Sequence, residues 1–288
     1  MLPFRKILCP IDYSEPCRAV VPYVKEMSHR FGAELILVHA YGPSAITAHG
    51  YGESSMTDPN LCGEVRADQA ERLRTFALEM FPSQHVEAIV DLGEPGCVIH
   101  KVARHQGADL VMLATRGHGP VRRFLLGSVT AKVLHDMSTP VWTGAGSTLE
   151  QHSCKQPYES ILCALDRSDE AEVVLKAAMT FADEYRARLS IVHVVETPVW
   201  AEFDFDHVKQ KLIEAAHVWL RELVNQLDCE LPFTVRDSVL PDAVCQEVIR
   251  TKADLLVTGR GHAQNSFARS WSKLYPIIQE SPCPVLSI

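Results

Sequence analysis

The chain has 288 residues, 47% hydrophobic and 22% charged, which is too long for one minimal α/β unit and about right for two joined end to end. Its formal net charge of −8 repels phosphate backbones, so nucleic acid is not expected as a partner. No apolar run approaches the roughly 20 residues that cross a bilayer, and the opening Met1 to Leu8 segment passes into Asp12 too soon for a signal-peptide core. These features, with nine cysteines and no C-x-x-C, lead us to expect a cytoplasmic protein without a membrane partner.

In chain order, a strand is expected over Lys6 to Ile11, with Cys9 as a buried thiol. Ser14 then caps a helix whose apolar positions are Cys17, Val20, Val21, Val24 and Phe31, and Pro22 is expected to kink that helix or shift its start. A second strand over Glu34 to His39 precedes a helix with Leu73, Phe76, Ala77 and Met80 on one face. Strands over His85 to Asp91 and Asp109 to Ala114 follow, then a helix over Val129 to His135 and a last strand over Pro140 to Thr143. Gly144 to Tyr158 reads as a polar linker.

Beyond the linker the pattern returns. Ile7-Leu8-Cys9-Pro10-Ile11-Asp12-Tyr13-Ser14 recurs as Ile161-Leu162-Cys163-Ala164-Leu165-Asp166-Arg167-Ser168, and Val38-His39 as Val192-His193. Ala108-Asp109-Leu110, Arg116-Gly117-His118 and Pro140-Val141 recur in the same order as Ala253-Asp254-Leu255, Arg260-Gly261-His262 and Pro284-Val285. In the second copy Ser168 is the matching cap, and Leu212, Ala216, Trp219 and Leu223 form the matching stripe. Strands alternating with amphipathic helices imply βαβ units. The expected fold is therefore α/β, with two tandem, doubly wound, Rossmann-like five-stranded parallel-sheet domains over 1–146 and 157–288.

Ligands of such sheets sit beyond the carboxyl ends of the strands, at the switch point. Two candidates fall there. Leu113-Ala114-Thr115-Arg116-Gly117 leaves the fourth strand, and nine residues later Gly127-Ser128-Val129-Thr130 opens a helix. Gly117 permits a positive-φ turn and close backbone approach, and a helix start attracts phosphate without any lysine; a glycine-softened loop with a plain serine cap fits the same residues. Asp12, just past the first strand, suits a ribose hydroxyl or, equally, a simple turn.

Pro10-Ile11-Asp12-Tyr13-Ser14, Val38-His39-Ala40, Ala114-Thr115-Arg116-Gly117-x9-Gly127-Ser128 and Thr139-Pro140-Val141 together resemble the universal stress protein family, across both halves of the chain. The resemblance implies an adenine nucleotide alpha hydrolase-like fold and an ATP-binding signature G-x-x-G-x9-G-[S/T], from which this chain departs by having Ala114 for the first glycine. It implies that Asp12 holds ribose, that Ile11 and Ala40 flank adenine, and that Gly117, Gly127, Ser128, Val129 and Thr130 cradle phosphates. Pro10, Tyr13, Leu113, Ala114 and Arg116 complete the implied nucleotide site, with Mg2+ accompanying ATP. The partner expected besides ATP is a second copy of the chain or the chain's own other domain.

The second copy keeps Asp166, Arg260 and Gly261 but has Trp271-Ser272 where the first has Gly127-Ser128. A tryptophan at the N-cap would block phosphate, unless the loop shifts and Ser270 or Ser272 still caps the helix. No P-loop, dinucleotide fingerprint or zinc-spaced His/Cys set occurs, and Arg122 and Arg123 suit phosphate or solvent alike. No base–nucleophile pair accompanies the loop, so slow ATP hydrolysis is the most that is expected. Two other readings stay open: a nucleotide-free interaction protein, and a nucleotidyl-transfer enzyme, for which Asp12-Tyr13-Ser14-Glu15 stands where an H-x-x-H motif is needed.

Overall fold

The computed structural model describes residues 4–42, 59–115, 117, 126–144, 158–196, 205–260 and 267–288, and only the backbone of 59–61, 205–206 and 267–273. The chain divides into two compact units, Pro3–Glu150 and Gln151–Ile288. The first contains β1 (Lys6–Pro10), α1 (Glu15–Phe31), β2 (Glu34–Tyr41), α2 (Pro59–Met80), β3 (Val86–Leu92), α3 (Pro95–Gln106), β4 (Leu110–Ala114), α4 (Ser128–Asp136) and β5 (Val141–Gly144). The linker residues 145–157 lie outside the described residues.

Ile7, Leu8 and Cys9 of β1 and all five residues of β4 are buried, the continuous apolar run of strands covered on both faces. Their order in the sheet is β3-β2-β1-β4-β5, every pair parallel. The order reverses between β1 and β4, because the chain winds one way through β2 and β3 and then returns to build β4 and β5. Helices on opposite faces diverge there, and a crevice opens beyond the carboxyl ends of the two strands.

Ser14 caps α1, its Oγ accepting from the Cys17 amide at 3.2 Å. Pro22 does not shift the start of this helix, which runs from Glu15 through it to Phe31. Burying Val20, Val21, Val24 and Met27 against the sheet outweighs one missing rung to the Arg18 carbonyl. The recurring Ala-Asp-Leu also has a local cause. Asp109 accepts the Arg5 and Lys6 amides at 2.8 and 3.0 Å, tying the start of β4 to that of β1.

The second unit repeats the plan with β6 (Ser160–Leu165), α5 (Ala171–Tyr185), β7 (Arg188–Val195), α6 (Phe205–Gln226), β8 (Phe233–Asp237), α7 (Leu240–Thr251), β9 (Leu255–Thr258), α8 (Phe267–Glu280) and β10 (Val285–Ser287). Its strands run parallel in the order β10-β9-β6-β7-β8. Asp254 repeats the Asp109 tie, accepting the Glu159 and Ser160 amides at 2.8 and 3.2 Å. The copies part at two helix ends. Gly32 and Gly107 close α1 and α3 in the left-handed region, whereas Arg186 and Lys252 close α5 and α7 with φ of +53° and +51°. The buried stripe of α6 is Ala216, Leu220, Leu223 and Val224, rotated from the expected one: Leu212 is exposed and Trp219 only half-buried. Among the described residues, no helix is long and apolar enough to cross a membrane.

Candidate functional site

The crevice of the first unit holds a cavity of about 600 Å³. β1 and its exit supply Pro10, Ile11 and Asp12, and β2 supplies Ala40; Leu113, Ala114 and Gly117 come from the end of β4, and Gly127, Ser128, Val129 and Thr130 from the start of α4. Thus the topology brings together most of the residues singled out in the sequence. Two stand apart. Arg116 lies outside the described residues, as do Arg122 and Arg123. Tyr13 does not line the cavity; at φ +64° it turns the chain outward, and its ring packs on His39, Phe76 and the Arg72 guanidinium.

Sequence reasoning missed Cys17, Val38, Pro95, Ile99 and Leu126, which complete the walls. Val38 was legible as the residue before His39 at a strand end. Pro95 and Ile99 reach the cavity only because α3 begins beside it, which no local pattern reveals.

Asp12 is the one charged side chain among the described residues that line the cavity. Its Oδ1 accepts from the Ser14 amide at 3.0 Å and the Ser14 hydroxyl at 2.6 Å, which locks the carboxylate into the turn leading to α1. Its Oδ2 lies over Gly117, where any Cβ would overlap it. Gly117 is therefore small because a carboxylate occupies the space of a side chain. It is not in the positive-φ region that its sequence position suggested.

Three helices begin beside the cavity, and their first amides are treated differently. Ser14 caps α1; Glu94 caps α3, its two oxygens accepting from the Gly96 and Cys97 amides at 3.1 and 2.9 Å. The N-cap of α4 is Gly127, at φ −61° and ψ 142°, and no side chain caps it. The first intrahelical bond runs from the Ala131 amide to the Gly127 carbonyl, so the amides of Ser128, Val129 and Thr130 open on the cavity without an intrahelical acceptor. The Gly127 amide donates to the Thr115 carbonyl at 2.8 Å, and the buried Thr130 hydroxyl donates to the Ala114 carbonyl at 2.9 Å. These two bonds hold the uncapped helix start against the end of β4. Thr130 therefore faces the cavity with its amide rather than its hydroxyl.

Burial shifts three titratable groups at or near the cavity toward their neutral forms. Desolvation pushes the Cys17 thiol up to about 11 and the Tyr13 phenol up to about 12, and it pulls the His39 imidazole below its ordinary value. Cys17 is thus a thiol and not a thiolate nucleophile at pH 7.

The second unit departs at the same edge. The Asp166 turn survives, with Oδ1 accepting from the Ser168 amide and hydroxyl at 3.3 and 2.5 Å. By register Ser272 matches Ser128, yet α8 begins at Phe267, five residues earlier than its counterpart. Its N-terminus is displaced along the helix axis by about 7 Å. Trp271 is consequently not at the N-cap; it lies within the helix, its side chain outside the described residues, and neither Ser270 nor Ser272 is a cap. Arg260 at the end of β9 is 1% exposed, and desolvation lowers its guanidinium to about 10 against the opposing pull of Glu170, so it stays charged at pH 7.

A model of the universal stress protein family matches residues 3–143 and again 157–288. A protein of Thermus aquaticus, described as a universal stress protein in the QAH/OAS sulfhydrylase 3′ region, is 29% identical over 146 residues, spanning 48% of this chain and 96% of its own length. Among solved structures, a universal stress protein from Archaeoglobus fulgidus aligns with a TM-score of 0.66 at 20% identity, covering 98% of this chain and 95% of that one. A functionally unknown protein of Pseudomonas aeruginosa aligns with 0.64 at 13%, covering 99% and 92%. At such identities the two structures speak for the fold alone. Because one family model fits each half in turn, the chain belongs to the universal stress protein family.

Proposed function

We propose that the first unit binds ATP, and that the protein is a nucleotide-dependent binding or signalling module of the stress response. The observation that carries this reading is the uncapped start of α4 beside two helix starts that are capped by their own chain. Three convergent amides at a positive helix end bind an anion without a lysine, and they face a cavity whose size suits a nucleotide. Asp12 is set to accept from ribose hydroxyls through a carboxylate already oriented by Ser14. The apolar walls from Ile11, Val38, Pro95 and Ile99 suit a base.

Among the described residues no group of three or more His, Cys, Asp or Glu side chains could hold a cation. Mg2+ would therefore be held by phosphate oxygens and water, where it neutralises the triphosphate. Cys17, protonated at pH 7, is not set up as a thiolate nucleophile toward a bound ATP. The displaced start of α8 and the buried Arg260 support a second unit that has lost the nucleotide. Cys9, Cys17, Cys163 and Cys283 are buried and outside any disulfide, which agrees with a reducing cytoplasm.

The test is to denature the purified protein, identify any released small molecule, and titrate the emptied protein with ATP and with GTP. Released adenine nucleotide, or ATP binding tighter than GTP, is expected. A protein that carries nothing and ignores both nucleotides overturns the proposal in favour of a nucleotide-free interaction protein.

A further inference from the structure

Asp12, Tyr13 and Ser14 act as one turn. With its Oδ1 accepting from the Ser14 amide at 3.0 Å, Asp12 closes an Asx turn around Tyr13. Tyr13 has φ +64°, and a left-handed residue at this place in a turn is ordinarily glycine, as in a type II turn. A side chain there is disfavoured, so other contacts must hold it. The ring supplies that hold. It packs on the His39 imidazole at 4.8 Å and the Phe76 ring at 5.5 Å between centroids, and the Arg72 guanidinium lies 4.2 Å from its own centroid. His39 is a fixed seat, because its Nδ1 lies 2.7 Å from the Ile11 carbonyl oxygen, which can only accept, so that nitrogen donates. The Tyr13 hydroxyl, by contrast, is buried with no hydrogen-bond partner among the described residues, so the ring and not the oxygen accounts for an aromatic residue here.

The second unit shows the turn without that ring. Arg167 stands in the place of Tyr13 and stays out of the left-handed region. The bonds from Ser168 to Asp166 remain, yet Ser168 caps no helix. Instead α5 begins at Ala171, past the Asp169 that matches Glu15, and its N-cap is Glu170, with no side-chain cap.

We infer that Tyr13 is a positioning residue: its ring, held by β2 and α2, keeps the turn left-handed, and the turn sets the Asp12 carboxylate at the cavity and the Ser14 hydroxyl under α1. Its effect on a ribose rests on the nucleotide reading above. Tyr13 does not line the cavity, so it acts through Asp12 and not on the ligand. It raises affinity by holding the carboxylate ready before the ligand arrives.

The test compares Tyr13→Phe, Tyr13→Gly and Tyr13→Ala in the full chain, by amide exchange without ligand and by titration with ATP. The Ser14 and Cys17 amides donate to Asp12 and to Ser14, so both are protected while the turn is intact. Phenylalanine keeps the ring, and glycine adopts the left-handed turn without one; both variants should retain the protection and bind ATP within about threefold of the wild type. Alanine keeps the left-handed penalty and loses the hold. Both amides should then exchange faster, and the Kd for ATP should rise about five- to thirtyfold, the factor which that penalty sets. A ring that served packing alone would make glycine at least as damaging as alanine, and that order overturns the inference. Wild-type protection and affinity in Tyr13→Ala overturn it as well. Should circular dichroism show that Tyr13→Ala does not fold, Tyr13→Gly decides: wild-type protection in it supports the inference, and fast exchange or failure to fold overturns it. A wild type that binds no nucleotide, with exchange in the expected order, supports the hold on the turn and refutes the nucleotide reading instead.

Discussion

Replacing Gly117 by alanine places a methyl group where the Asp12 Oδ2 already lies. The carboxylate cannot simply swing aside, because its Oδ1 is tied to the Ser14 amide and hydroxyl at 3.0 and 2.6 Å, and Ser14 in turn caps α1. Either the carboxylate leaves its place at the cavity or the β4 exit moves away from it. In both cases the proposed contact from Asp12 to ribose is lost. A hydrogen bond to a charged acceptor contributes about 1.5–3 kcal/mol, so Gly117→Ala weakens ATP by about ten- to hundredfold. Asp12→Ala has the same expected effect, and the double variant should be no weaker than the worse single one, since both act through one carboxylate. Calorimetric titration with ATP and 2′-deoxy-ATP measures this, with circular dichroism as the check on folding. The penalty for losing the 2′-hydroxyl should be present in the wild type and absent in both variants. Losses that add in the double variant, or a full deoxy penalty in Gly117→Ala, would refute the idea that Gly117 is small for the sake of Asp12.

Calorimetry of the full chain should give one nucleotide per chain, in the first unit; a stoichiometry near two would contradict the loss proposed for the second. Gly127→Trp should abolish ATP binding with the circular dichroism spectrum unchanged, because the indole enters the cavity rather than the core; unchanged affinity in a folded variant would move the phosphates elsewhere. Lys252→Gly should stabilise the second unit by about 1 kcal/mol, since a side chain at φ +51° strains the end of α7 where Gly107 closes α3 freely; an unchanged denaturation midpoint would refute that strain. His39 and His193 both titrate below the ordinary imidazole value of 6.5, so the unfolded chain binds more protons than the folded one. Stability should then be full at pH 7 and fall as the pH drops through about 6.5, levelling off below the folded values. Replacing both histidines by glutamine should flatten that slope, and an undiminished slope would assign it to other groups.

How much of this was legible beforehand depends on how local each cause is. The duplication, the strand runs and the Ser14 cap are written in short stretches of sequence, because continuous apolar runs, period-3.6 burial and a hydroxyl three residues before an amide need only near neighbours. The convergence of Asp12 with Gly117 and Gly127 also followed from the chain, since right-handed crossovers leave one switch point in such a sheet. Other features are set by contacts between residues far apart in sequence. Gly117 reads as a turn glycine until Asp12, more than a hundred residues earlier, is found over its Cα. The early start of α8 is invisible in the register that pairs Trp271 with Gly127, because helix ends are set by capping and by what the preceding loop can reach. The link from His39 to Ile11 exists only once β2 lies against β1. Sequence alone therefore determined the repeat, the sheet and the edge where the cavity opens. The tertiary structure decided which amides at that edge remain open, because an amide is open or closed according to the acceptors that folding brings within about 3 Å of it.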